Sequence, residues 1–133
     1  MENDFCNKPI FVCSPYRPKA SPITVDYDRE LKDNLELAKR ACRMVCKEGY
    51  VPIAPHLYFT QFLFDCHERY GEREIGLKMG KRMLRECMEL WVFGDRISSG
   101  MAAEIALASE IGIPIKIKRI EDEEKQESEE TQS

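Results

Sequence analysis

Apolar and polar positions change rhythm along the chain, and the changes predict strands alternating with helices. Pro9 to Cys13 (PIFVC) is a short apolar run of strand-favouring residues, ended by the proline-rich SPYRPKASP. From about Asp28, Leu31, Leu35, Ala38, Cys42 and Val45 recur every three or four residues, with Lys32, Glu36, Lys39 and Arg43 opposite. That period predicts an amphipathic helix, and Gly49 suits its C-terminal cap. Tyr50 to Ala54 (YVPIA) then reads as a second strand. Pro55 to Glu74 is expected as loop and then short helix, its aromatics either packing a helix or lining a pocket. A further amphipathic helix is expected from about Glu72 to Glu86, with Ile75, Met79, Met83 and Leu84 inward, followed by a strand at Glu89 to Phe93 (ELWVF). After the loop GDRISS, the good helix formers of AAEIALASEI predict a helix from about Gly100 to Ile111, closed by Gly112. Ile113 to Lys118 (IPIKIK) alternates apolar with basic and reads as a last strand near an edge.

The order β-α-β-α-β-α-β predicts an α/β fold of Rossmann or flavodoxin type. It should be a single domain with a mainly parallel sheet of four to five strands, helices on both faces and right-handed crossovers. Such sheets bind ligands beyond the carboxyl ends of their strands. Here those ends are Ser14 to Pro18, Pro55 to Phe59 and Gly94 to Gly100.

Length and charge refine this picture. The 133 residues suit one domain, and 43% apolar with 33% charged residues suits a soluble globular one. Of 20 basic and 24 acidic residues, one basic and seven acidic fall from Glu121 onward. Residues 121–133 therefore read as a solvated acidic tail, and residues 1–120 as a nearly neutral domain. The one basic cluster, Lys78 to Arg85, is expected to be an exposed helix face rather than a nucleic-acid surface. No apolar run reaches the roughly 20 residues of a membrane span, and MENDFCNKP lacks the pattern of a signal peptide, so a cytoplasmic protein that meets no membrane is expected. The six cysteines sit within apolar patterns and are expected as reduced thiols. Cys42, Cys46, His56, Cys66 and His67 show no metal-ligand spacing, so neither metal nor other cofactor is expected.

Ser98 and Ser99 precede Gly100 at the start of the last predicted helix, where unpaired N–H groups and the helix dipole attract an anion. A serine there is equally suited to capping the helix. Glu104 lies about one turn further on, among Ala102, Ala103, Ile105 and Ala106, where a solvated glutamate is out of place. An oriented carboxylate in such a setting can act as nucleophile or base, or be paired with Arg17 or Arg96.

Four stretches carry a resemblance: FVCSPY (Phe11 to Tyr16), EGYVPIAPHLY (Glu48 to Tyr58), ERYGEREIGLKMG (Glu68 to Gly80) and LWVFGDRISSGMAAEIALASEIGIPI (Leu90 to Ile115). Over about Ile10 to Lys118 the chain resembles the nucleoside 2-deoxyribosyltransferase-like proteins, in a small uncharacterised bacterial and phage branch (DUF4406-like). The resemblance implies, through the motif S-x-G-x-x-x-E, that Ser98, Gly100 and Glu104 mark the site, with Glu104 as nucleophile. It further implies cleavage or transfer at a deoxyribosyl N-glycosidic bond, a nucleoside or nucleotide substrate, and a homo-oligomer. Relatives carry an aspartate before the third strand, where this chain has Met88; the adjacent Glu89 is the candidate substitute, although one residue's shift in a strand reverses the side chain's face. Glu104, Glu89 and Tyr16 are thus the catalytic candidates. Ser14, Arg17, His56, Tyr58, Ser98, Ser99, Gly100 and Met101 are the candidates for substrate contact. Two other classes remain alongside: a nucleotide or ADP-ribose-type binding module without turnover, and an oligomeric interaction protein built on Tyr58, Phe59, Phe62 and Phe64.

Overall fold

Strand and helix alternate through eight elements in the computed structural model, which describes residues 7–21, 23–63 and 72–120. They are β1 (Pro9–Cys13), α1 (Val25–Lys47), β2 (Val51–Ile53), α2 (Pro55–Phe59), α3 (Glu72–Arg85), β3 (Glu89–Val92), α4 (Ser99–Ile111) and β4 (Ile115–Ile117). The four strands form one parallel sheet in the order β2-β1-β3-β4. Phe11 lies beside both Ile53 and Leu90, so β1 is flanked on both sides by parallel neighbours. This is the flavodoxin-like order, and its winding reverses between β1 and β3, where a crevice opens at the carboxyl ends.

Strand alternation divides the core in two. Phe11, Cys13, Leu90 and Val92 face Leu84 of α3 and Met101, Leu107 and Ala108 of α4. Ile10, Val12, Trp91 and Phe93 face Ala41 and Val45 of α1. Helices therefore cover both sheet faces, as the element order predicts.

Several boundaries differ from the expected ones for physical reasons. Helix α1 starts three residues earlier than its apolar stripe, because Thr24 caps it by accepting a hydrogen bond from the Tyr27 N–H at 3.3 Å. Ile23 and Val25 there are 94% and 83% exposed, so no burial pattern announces that first turn. Helix α2 starts directly on β2 with Pro55 in its first turn, where the missing N–H costs nothing, and this replaces the expected loop. On α3, Leu84 is buried and Met79 and Met83 half-buried, but Ile75 is exposed. Nine residues separate Ile75 from Leu84, about two and a half turns, so the two fall on opposite sides of the helix. Strand β4 is shorter than expected and lies on the sheet edge, with both isoleucines exposed.

Gly94, just past β3, has φ +102°, and a Cβ there would lie 3.2 Å from Cδ of Pro15. This is where the loops after β1 and β3 meet. Gly94→Ala combines a left-handed backbone with crowding and should destabilise the fold by about 1–2 kcal/mol, read as a lower denaturant midpoint at unchanged slope.

Candidate functional site

A cavity of about 320 Å³ opens at the carboxyl ends of the strands, within the range of small-molecule pockets. Four segments line most of it: the loop after β1, helix α2, one face of α3, and the loop from β3 together with the start of α4. The parallel sheet brings these together because β1 and β3 are neighbours whose ends point the same way.

Glu104 reaches the cavity from α4. Met101, Glu104 and Ala108 are spaced by three and four residues, which places the glutamate on the same stripe as the buried Met101 and Ala108. Its carboxyl is half-buried; burial pushes its pKa up to about 7, against a smaller lowering by a hydrogen bond with the Cys13 thiol. Ser98 caps α4: its hydroxyl accepts from the Met101 N–H at 3.2 Å, and the helix closes at Gly112 with φ 82°. Ser98, Ser99 and Gly100 also line the cavity, so capping and cavity lining coincide in one turn.

The loop after β1 contributes Ser14, Tyr16 and Arg17. Asn34 of α1 holds that loop by donating to the Tyr16 carbonyl at 3.0 Å. Ser14 is buried, with its Oγ 3.5 Å from Nε2 of His56, and the His56 ring lies against Tyr16 at 5.3 Å between centroids. Burial lowers the His56 pKa to about 4, so the imidazole is neutral at physiological pH. The site thus offers a carboxyl titrating near neutrality, a neutral imidazole, hydroxyls at a helix start, and flanking guanidinium groups of Arg17 and Arg96.

A family model, Domain of unknown function (DUF7768), matches residues 8–118. The chain belongs to this family. The branch named by sequence resemblance, DUF4406, is not the one that matches. No curated protein matches. Among solved structures, the 2-deoxyribosyltransferase of Bacillus psychrosaccharolyticus is similar, with a TM-score of 0.60 and 15% identity over 84% of this chain and 72% of that one. The likeness places this DUF7768 domain in the deoxyribosyltransferase fold.

Two expected site residues lie elsewhere in the DUF7768 domain. Glu89 opens β3, at the amino ends of the strands, on the sheet face away from α4. Its oxygens accept from Trp91 Nε1 at 2.8 Å and from Lys8, with Lys116 at 3.1 Å. Burial alone would raise its pKa, but the bonds from Lys8, Trp91 and Lys116 outweigh that and hold it down at about 2. The carboxylate is committed to this cluster and does not line the cavity. Met88, beside it, is 54% exposed at the same end, so its identity does not shape the cavity. Tyr58 is the second correction. Pro55, His56, Phe59 and Thr60 line the cavity, so α2 turns Tyr58 outward, 60% exposed against Phe59 and Phe62. A loop could have aimed it inward; a helix cannot.

Helix α3 supplies lining residues that sequence reasoning passed over, notably Glu72, Gly76, Gly80 and Lys81. Glu72, Gly76 and Gly80 recur at intervals of four, one face of a helix, and that spacing was the available signal. At Gly80 a Cβ would lie 3.7 Å from Pro55, in ordinary van der Waals contact, so α2 and α3 pack closely here with room for no more than a methyl. Lys81 also modifies the expected solvated basic face, whose Lys78 and Arg82 do pair with Glu74 and Glu86. Phe64, Cys66, His67 and the acidic tail lie outside the described residues. Among the described residues, Cys13, Cys42, Cys46 and Cys87 are free thiols, no cluster of three or more His, Cys, Asp or Glu could hold a metal, and no helix is long and apolar enough to cross a membrane.

Proposed function

We propose that the protein cleaves or transfers at the N-glycosidic bond of a deoxyribosyl nucleoside or its 5′-phosphate, with Glu104 as nucleophile. The observation that carries this reading is the half-buried Glu104 carboxyl on the cavity-lining stripe of α4, beside a helix start bearing Ser98, Ser99 and Gly100. The deoxyribosyltransferase fold supports it.

An oxygen of ionised Glu104 bonds to C1′ while the C1′–N bond breaks, its electron pair leaving with the base nitrogen, which takes up a proton. Water or a second base then attacks C1′ of the ester, loses a proton, and returns the carboxylate. Two displacements retain the anomeric configuration. Ser98, Ser99 and the free N–H groups of the first turn hold a 5′-phosphate, with Arg17 and Arg96 flanking it. Ser14, Tyr16, His56 and Met101 shape the sugar and base positions. Glu72 is the second carboxyl lining the cavity, and in this reading it carries the proton of the departing base. The chemistry needs no cofactor. Tyr58 and Phe62, turned outward, supply exposed aromatic surface for pairing with a second copy.

Incubation with purine and pyrimidine deoxynucleosides and their 5′-monophosphates, followed by chromatography, tests the reading. The wild type should release free base, or exchange it when a second base is present, and Glu104→Ala should not. Base release from no member of the panel would overturn the enzymatic reading, and tight nucleotide binding without release would favour a binding module.

A further inference from the structure

We propose that Gly76 of α3 sets the size of base the site accepts, its bare backbone forming part of a slot wide enough for a two-ring base. The proposal rests on the reading of the cavity as a deoxynucleotide site. Gly76 lines the cavity one helical turn before Gly80, on the wall that also holds Pro55, Phe59, Leu63 and Leu77. Helix α3 packs against α2 and against α4, the helix that carries Glu104, so this wall stands beside the proposed nucleophile.

A glycine inside a helix weakens it relative to alanine, so its presence calls for a cause. Backbone conformation is not that cause. Among the described residues the glycines with positive φ are Gly49, Gly94 and Gly112, none of them in α3. Helix packing accounts for Gly80, where a Cβ would lie against the Pro55 ring, but not for Gly76. A Cβ at Gly76 would meet Leu63 Cδ1 at 3.4 Å, the far end of a side chain that can turn aside. Outside its own stretch of helix, no other atom of the described residues would lie within 4 Å. The space that a side chain would enter is therefore bounded by Leu63 and otherwise open, and Gly76 and Leu63 both line the cavity.

The chemistry of the wall says which part of the substrate it meets. Arg17, Arg96, Ser98 and Ser99, assigned above to the phosphate, come from the loop after β1 and from the loop and helix start after β3. That leaves the wall between α2 and α3 to the base. Pro55, Phe59, Leu63 and Leu77 are apolar, and a flat aromatic ring is drawn to such a surface by its faces while its polar edge stays free for the rim. With no side chain at Gly76, the ring can approach the helix backbone closely. A two-ring base covers more of this surface than a single ring does, and any side chain at position 76 would take up the space of the second ring.

The experiment is a calorimetric titration with deoxyadenosine and deoxycytidine 5′-monophosphates of the full chain carrying Glu104→Gln, which stops turnover and keeps the side chain's size. Added to it, Gly76→Ala should weaken the purine nucleotide about 5-fold and Gly76→Leu about 50-fold, the scale of overfilling a fitted pocket. The pyrimidine nucleotide should weaken less than about 3-fold in both. Alanine and leucine are better helix formers than glycine, so retained pyrimidine affinity also shows that each variant is folded. An unchanged ratio of the two affinities, whether both hold or both fall, would overturn the role of Gly76 even if the chain with Glu104 intact releases base. Failure of the purine nucleotide to bind while position 76 is glycine would overturn it as well. A ratio that shifts as described, in a chain that releases no base with Glu104 intact, would uphold Gly76 and remove the nucleophile reading instead.

Discussion

Glu104→Gln is expected to abolish base release and, at pH 8, to make the protein more stable. Loss of the attacking carboxylate should lower kcat by about 10⁴-fold or more, the scale seen when a nucleophile is removed. The gain in stability follows from linkage. Folding raises this carboxyl from its ordinary 4.5 to about 7, so between those values the native state binds more protons than the unfolded one. Stability therefore falls as pH rises through that window, and above it the full cost of a buried charge is present. Glutamine carries no charge to bury and should recover on the order of 2–3 kcal/mol at pH 8. At pH 4, where the glutamate is protonated in both states, the advantage should vanish. Denaturant melts of the two proteins at both pH values check the sign; equal stabilities at pH 8 would mean that Glu104 is well solvated and poorly suited to its proposed task.

The opposite behaviour is expected at Glu89. Removing it with Glu89→Ala strips the partner from Lys8 and leaves the Trp91 indole N–H without its acceptor in the core. The cost should be about 2–3 kcal/mol, at or just below the lower end of the range for breaking a buried pair because Lys116 is half exposed. Here folding lowers the pKa, from 4.5 to about 2. The contribution is therefore complete above pH 4.5 and drains away as the pH falls toward 2, so wild type and variant should converge in acid. Because Glu89 is remote from the cavity, kcat and KM of the folded variant should match those of the wild type. A loss of activity at unchanged stability would instead return Glu89 to the reaction.

These two glutamates show what a linear pattern can and cannot convey. Glu104 stood out because four aliphatic neighbours surround it on a helix whose caps, Ser98 and Gly112, are visible as residue types. The strands at Ile10 and Leu90 were equally legible, since short apolar runs rich in strand-favouring residues and followed by turn signals read as buried strands. Glu89 was misplaced because adjacency in sequence to a family position says nothing about which end of a parallel strand faces the ligand. Tyr58 was misplaced because Pro55, ordinarily a sign of a loop, here starts a helix. Ile75 was assigned inward with Met79 and Met83, which follow it at intervals of four, but the residue that is fully buried is Leu84, and its spacing puts Ile75 on the far side. The α3 contribution to the cavity escaped notice because glycines mark a site by what they leave empty, and an absent side chain has no pattern of its own.

Trp91 is the chain's one tryptophan. It is held between the Glu89 carboxylate and the Lys118 ammonium, whose Nζ is 4.0 Å from its ring centroid, on the sheet face that α1 covers. The molecule thus carries its single tryptophan, which can be excited apart from its five tyrosines, on the side of the sheet away from its cavity. Its emission reports whether the α1 layer is packed, separately from whether a ligand occupies the other face.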